Sequence, residues 1–451
     1  MNTLHWRFAY KIIFLFFIDF LFSQKGYLKS FDPDKLRFKT LAAERCTLAP
    51  VIDGNISDYA WVSSTNKVDE FFQIDPVELS APGKQTEAMV CYNDEALYVF
   101  IRAYDNQPEN IRKILVRGDS WFSGFGNNSD WVGISVDSRN DDYNGYFFGV
   151  NASGVKIDVA VSGDSKFDPK WNAIWDVDVA IDSSGWNAEF KFPFSIFQFD
   201  NKPNMKWGIS FTRYVHSLQE TLEWPGKSKS VRGSVIPLGT LINLEQIPNP
   251  NQLELLPYAL AGHSDGPKSL SGLDLRYGLT SSTLIKMTFN PDFGQVEADP
   301  SVLNLSAFET FYDEKRPFFS EGSEFFNQYL SIFNSRRIGR RPSYNIPDDG
   351  ELEGVKDYTT ILGATKIIGS FRNGINFGLI GALTDEESAT YIDSSIIENI
   401  IIEPQATYLV GRTELPVINK VSRLGLMVTD VKRRNNPGAN VIGIDWNIGL
   451  M

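Results

Sequence analysis

The segment IGIDWNIGL, Ile442 to Leu450, sets Ile442, Ile444, Trp446, Ile448 and Leu450 on one side of an extended chain and Gly443, Asp445, Asn447 and Gly449 on the other. Side chains of a strand alternate between its faces, so this period of two reads as a strand with one oily face and one small or polar face. Upstream, Leu424, Leu426 and Val428 oppose Arg423, Gly425 and Thr429. Likewise Ile375, Phe377, Leu379 and Leu383 oppose Asn376, Gly378 and Ala382. The pattern suits a half-buried soluble sheet or a transmembrane β-strand, which meets lipid on one face and a lumen on the other. The size of the outward residues and the export signal described next favour the membrane barrel.

Arg7 and Lys11 precede an apolar run, Ile12 to Phe22, broken only by Asp19 and followed by Ser23-Gln24. That is the form of a signal peptide over residues 1–24, and the run is short for a spanning helix. No other stretch approaches such a helix, so a membrane location has to be reached with strands. The chain has 451 residues, room for two domains that each bury a core without a disulfide staple. Its 33 Phe, 17 Tyr and 35 Gly favour strands and tight turns. A net charge of −13 argues against a nucleic-acid partner. Export allows a bridge between Cys46 and Cys91, and the same two residues suit small buried apolar positions.

Residues 41–247 read as a β-sandwich of short strands, at Ala88–Tyr92, Leu97–Ala103, Asp130–Val136, Gly145–Val150, Asp176–Ile181, Trp186–Phe192 and Trp207–Arg213. Trp61, Trp186 and Trp207 are expected in its core. Two prolines in Ile247-Pro248-Asn249-Pro250-Asn251 mark a linker. Residues 252–451 then read as a partial antiparallel β-barrel with an acidic insertion at 291–350. Leu303 to Tyr312 is expected to form one or two helical turns, Asp385 to Asn399 a polar surface loop, and Lys432 to Asn440 a short turn region. The chain stops inside an alternating strand, which reads as an incomplete barrel. The fold class is all-β.

Histidine is confined to His5, His216 and His263, and no GxSxG, P-loop or dinucleotide fingerprint occurs. A histidine zinc site or a Ser-His-Asp triad has almost nothing to build on. A glycosidase would need two carboxyl groups across a sugar cleft, and with 56 acidic residues some pair always lies at a plausible separation. The reading is therefore non-catalytic, with glycosidic hydrolysis as the alternative. Sugars stack on exposed rings beside hydrogen-bonding side chains. Trp121, Phe125, Asn127 and Trp131 are the best local candidates, with Trp224 at the same end. Trp171 and Trp175 suit packing better. Asp137, Asp141 and Asp142 carry the oxygen chemistry of a Ca²⁺ site without EF-hand spacing, so a solvated turn is the alternative and no other cofactor is expected. Inside a barrel, Glu297, Asp299, Glu309, Glu321 and Glu324 would neutralise Arg336, Arg337, Arg340 and Arg341 and hold the insertion in the lumen.

PVIDGNISDYAW (Pro50 to Trp61), YNDEALYVFIRAYD (Tyr92 to Asp105), SDWVGISVD (Ser129 to Asp137) and GWNAEFKFPFS (Gly185 to Ser195) together resemble a family 9 carbohydrate-binding module over Leu41 to Ile247. The resemblance implies a β-sandwich that holds sugar between two tryptophans. Where one of these normally stands, this chain reads Phe125-Gly126-Asn127-Asn128. NPDFGQVEADPSVLNLSAFETFYDEKRPFFSEG from Asn290, SRRIGR (Ser335 to Arg340) and ILGATKIIG (Ile361 to Gly369) resemble the β region called domain of unknown function 5916, from Leu253 onward. That resemblance implies an outer-membrane barrel tied to carbohydrate uptake or surface assembly. The combined expectation is an outer-membrane protein that binds a glycan and takes part in its recognition or uptake and catabolism. A structural or assembly protein without sugar binding is the further alternative.

Overall fold

The computed structural model describes residues 39–448 except 117, 119–124, 164–165, 169–170, 230–232, 236–237, 249–252, 264–266, 292–313, 315, 327, 329–330, 343–350, 372, 394–395 and 420–421. The signal peptide, most of the linker and the helical turns expected at Leu303–Tyr312 lie outside the described residues.

Residues 40–245 build two sheets. The first runs in the order Thr40–Ala42, Gly239–Glu245, Asn204–Val215, Trp131–Asp137, Gly145–Asn151, Lys156–Ser162, Lys166–Asp168, with Glu220–Trp224 and Phe72–Asp75 attached beside Asn204–Val215. The second runs Asp176–Asp182, Gly185–Pro193, Ala96–Tyr104, Thr86–Tyr92, Glu44–Arg45, with Lys67–Val68 on Thr86–Tyr92. Every strand expected in this half forms, within a few residues at each end. One core joins Val132, Ile134 and Val136 of the first sheet to Val99, Ile101 and Phe190 of the second. Phe148 meets Phe192 across it with ring centroids 4.5 Å apart. Trp186 and Trp207 are buried in the same core, as expected.

Trp61 plugs the opposite face of the second sheet instead, beside Met89, Tyr98 and Phe100. Its Nε1 donates to Glu189 Oε1 at 2.7 Å, while Glu189 Oε2 accepts from the backbone N–H groups of Asp53 and Gly54 at 3.1 and 3.0 Å. Gly54 has φ +74°, and a Cβ there would lie 2.7 Å from the Ala180 nitrogen, so the IDGN turn requires glycine. One buried carboxylate thus explains why this motif combines Asp-Gly with a tryptophan.

Residues 253–447 form an open eight-stranded antiparallel meander, Leu253–His263, Pro267–Thr280, Thr283–Phe289, Ile361–Ser370, Asn376–Thr384, Ala406–Pro416, Arg423–Arg433, Asn436–Asn447. It is a partial barrel. Two expectations fail here. The segment expected as a loop at Asp385–Asn399 forms the hairpin Glu387–Asp393 and Ile396–Glu403, which adds Glu351–Glu353 as a third strand. That small sheet is held by ladder bonds and buries little, so its polar composition masked it. The turn expected across Lys432–Asn440 narrows to Arg434–Asn435, because both flanking strands continue to the tip.

The connections differ in length at the two ends of the meander. At the end beside the sandwich they are Ser281–Ser282, 371–375 and 417–422. The opposite end carries both long excursions, 290–360 and 385–405, beside the short connections 264–266 and 434–435. No helix among the described residues is long and apolar enough to cross a membrane, which says nothing about strands.

Candidate functional site

Outward positions of the meander are large and apolar: Leu379, Leu409, Leu426, Val428, Ile442, Ile444 and Trp446 are all exposed, Trp446 to 71 %. Inward positions mix small, polar and charged residues with a buried apolar patch of Ile368, Ile380, Val410 and Met427. Ala364, Lys366, Gly378, Ala382, Arg412 and Gly425 alternate with the outward set. The insertion folds back onto this inner face. Phe318, Phe319, Phe326 and Ile338 bury themselves against Ala364, Ile368, Ile380, Val410 and Met427. Gly378 is a contact point, since a Cβ there would lie 2.7 Å from the Phe326 ring.

Charge fixes the docked segment in place. The Lys366 ammonium, with no solvent exposure, donates to the carbonyls of Phe318 and Glu321. Glu321 is paired with Lys286 and lies 3.7 Å from Arg276 Nε. Arg316 grips Glu314 through two bonds of 2.8 and 2.7 Å and donates to the carbonyls of Ile338 and Ser335 at 2.6 and 2.8 Å. Arg412 clamps Asp445 and bonds Glu414 at 2.9 Å.

Of the expected lumen network, Glu321 is present, but its partners are Lys286 and Arg276. Arg336 and Arg337 sit on a short turn capped by Asn334, which accepts the Arg336 N–H at 3.1 Å. Arg340 points instead to Glu403 of the added hairpin, 3.9 Å away, and Arg341 lies 3.8 Å from Asp357. Glu297, Asp299, Glu309 and the Glu324 side chain fall outside the described residues. The missed members are Lys366, Lys286, Arg276 and Arg412: the first two are single charges at inward positions of otherwise uncharged strands, and the other two have a carboxylate, Asp274 or Glu414, two residues away on the same face.

The aromatic candidates of the sandwich behave differently from expectation. Phe125 and Trp131 belong to a small cluster on the outer face of the first sheet, with Tyr214 stacked on Trp131 at 6.2 Å. Trp131 Nε1 is spent on the Gly126 carbonyl at 2.9 Å. Trp224 lies in the main core against Phe211. All three are buried, and a buried ring has no face for a sugar. Val116, Phe147, Val155, Ile157 and Tyr214 pack around the first two, a layer that composition does not reveal. Asn127 is exposed, and Trp121 lies outside the described residues. Trp175 is core and donates to Asp158 at 2.9 Å; Trp171 packs on Tyr146.

Asp137 is buried and accepts the N–H groups of Arg139, Asp141 and Asp142, while Asp141 accepts from Tyr143 and Asn144. Burial first, then Asp141 and Asp142, hold the Asp137 carboxyl well above the usual range. These oxygens shape a turn. Among the described residues no group of three or more His, Cys, Asp or Glu side chains is placed to hold a metal ion. Cys46 and Cys91 are free thiols whose side chains interact, and the Cys46 S–H donates to the Tyr92 carbonyl at 3.3 Å.

Where the sandwich meets the short-turn end of the meander, a cleft of about 460 Å³ opens between Arg139, Asp200 and Lys206 on one side and Phe371, Asn373 and Arg423 on the other. The two parts touch around it. Phe199 N–H donates to the Ser281 carbonyl at 2.9 Å, Arg139 donates to Asn376 at 3.3 Å, and the Arg423 guanidinium lies 4.4 Å over the Tyr143 ring.

Residues 249–449 match the family described as Domain of unknown function (DUF5916). No curated protein matches the chain. Among solved structures, it is similar to a family 9 carbohydrate-binding module from Caldicellulosiruptor kristjanssonii in complex with glucose. That match has 15 % identity and a TM-score of 0.32 over 45 % of this chain and 94 % of the module. The same kind of module in complex with cellotriose matches at 15 % identity and a TM-score of 0.33, over 45 % and 92 %.

Proposed function

We propose that this chain is a non-catalytic protein of the outer membrane that takes part in glycan recognition or uptake, the meander forming its membrane-embedded wall. The observation that carries the membrane part is the two-faced sheet. An apolar outer face this large is rarely left to water. The inner face meanwhile holds ion pairs and an inward-folded segment, the division expected of a lipid-facing wall around a polar lumen. Bacterial outer-membrane barrels keep short turns on the periplasmic side and long loops outside. The sandwich, at the short-turn end, is therefore assigned to the periplasm. Glycan handling is supported by the polar cleft at that end, which offers amide and charged side chains beside an exposed ring.

The test uses Trp446, the only tryptophan beyond Trp224. The full chain is reconstituted into vesicles containing lipids brominated on their acyl chains. Quenching that disappears in Trp446→Phe supports the wall; a chain that stays soluble, or equal quenching in both proteins, overturns it. The burial of Phe125, Trp131 and Trp224 favours one second reading, in which the sandwich is a scaffold for assembly. A glycan-binding screen on the full chain separates the two, since the scaffold binds none.

A further inference from the structure

Four cations line the cleft, Arg139, Lys202, Lys206 and Arg423, against two carboxylates, Asp141 and Asp200. The carboxylates do not cancel them. Asp200 pairs with Lys202 at 3.1 Å, and Asp141 stands 3.8 Å from Arg423 while accepting three bonds from its own turn. Among the described residues the Arg139 guanidinium meets the neutral amides of Gln198 and Asn376 and the Phe325 ring. Lys206 is exposed and forms no ion pair among the described residues. Arg423 is only 3 % exposed; its Nη1 donates to the Gly374 carbonyl at 2.8 Å, and its buried Nε has no hydrogen-bond partner among the described residues. With Asp200 on Lys202 and Asp141 on Arg423, Arg139 and Lys206 face no carboxylate among the described residues, so the cleft holds an excess of positive charge that suits an anion. Beside these cations Phe371 is 58 % exposed, its ring stacked on Phe377 with centroids 4.8 Å apart. Asn204 and Asn373 bring amides to the same walls.

We infer that this cleft binds an acidic oligosaccharide, a uronic-acid sugar whose carboxylate sits among Arg139, Arg423 and Lys206 while a pyranose face lies on Phe371. The inference rests on the glycan-handling reading above and adds to it a ligand class and a place. Guanidinium groups suit a carboxylate because their fork of donors matches its two oxygens. The amides suit hydroxyl groups, which both donate and accept. The volume lies within the range of about 300–1,000 Å³ usual for small-molecule sites.

Calorimetry on the full chain in detergent tests this with trigalacturonate, triguluronate and a chondroitin disaccharide as acidic probes, cellotriose as the neutral probe and sodium sulfate as the bare anion. At least one acidic probe is expected to bind saturably and to weaken as NaCl is raised. Arg139→Gln, Lys206→Gln and Phe371→Ala should each weaken it roughly tenfold, the scale of one charge-assisted bond or one stacked ring. Lys206 and Phe371 are exposed, so their variants test the site without endangering the fold. Unchanged affinity in both of those variants overturns the inference, as does sulfate displacing the sugar at equal concentration. Cellotriose bound without any acidic probe leaves the glycan reading standing and removes the acidic ligand. Binding of no sugar removes both, and Trp446 quenching then still reports on the wall.

Discussion

Glu223 is half-buried on the strand Glu220–Trp224, opposite Thr212 on one side and Phe72 on the other. Burial holds its carboxyl up at about 7, against the opposing pull of Lys227. The folded state therefore keeps this proton where the unfolded chain, near 4.5, has already lost it. The contribution of Glu223 to stability falls as pH rises from about 4.5 to about 7 and is constant on either side of that window. In Glu223→Gln this contribution to the fall should vanish in denaturation midpoints measured across the window. At Cys46 and Cys91 the side-chain interaction lowers the first thiol, while the same interaction and then burial push the second far up. Maleimide should label Cys46 in the native protein and reach Cys91 only after unfolding; equal rates would refute the pairing. Trp61→Ala removes a buried ring and leaves Glu189 without a donor, so a loss of about 3–5 kcal/mol is expected from tryptophan fluorescence in denaturant. At this scale Trp61, Trp186 and Trp207 were legible as core from their places at motif and strand starts. Phe125, Trp131 and Trp224 were not, because sequence gives a ring's chemistry but not the loop or neighbouring strand that covers it.

The strands themselves were legible because a pleat with unlike faces writes a period of two into the chain, and Asp, Asn and Gly mark its turns. The hairpin Glu387–Glu403 escaped notice for the converse reason. Its two strands face little core, and with Ile397 and Ile401 exposed no burial selects a repeating apolar face. Two of the inward charges were also written plainly, as single interruptions such as Lys366 in ATKIIG, yet their partners come from a segment without any period. Lys366→Ala leaves the Phe318 and Glu321 carbonyls without their donor, so the insertion should detach first. Limited proteolysis of the reconstituted protein should then cut near Phe318 and Phe319 at least several-fold faster than in the parent, with the strands protected in both. Equal cutting would mean that apolar packing alone holds the segment.

Across the whole molecule, the features that define its sites lie between parts. The cleft joins residues near 139, 206, 371 and 423, and no local window of sequence contains two of its walls. The docked insertion, by contrast, leaves and returns at one rung of the ladder: Phe289 pairs with Gly363, and the Asn290 N–H donates to the Leu362 carbonyl at 3.1 Å. Replacing residues 292–360 by a short turn should therefore keep the strand content of the eight-stranded sheet, read by circular dichroism in detergent. Binding of an apolar dye should rise as Ile368, Ile380 and Met427 lose their cover. The segment is in effect a cassette. A single deletion or exchange with its two ends at these adjacent rungs could swap it for another of different length and charge, so relatives with this sheet could change what covers its inner face without changing the sheet.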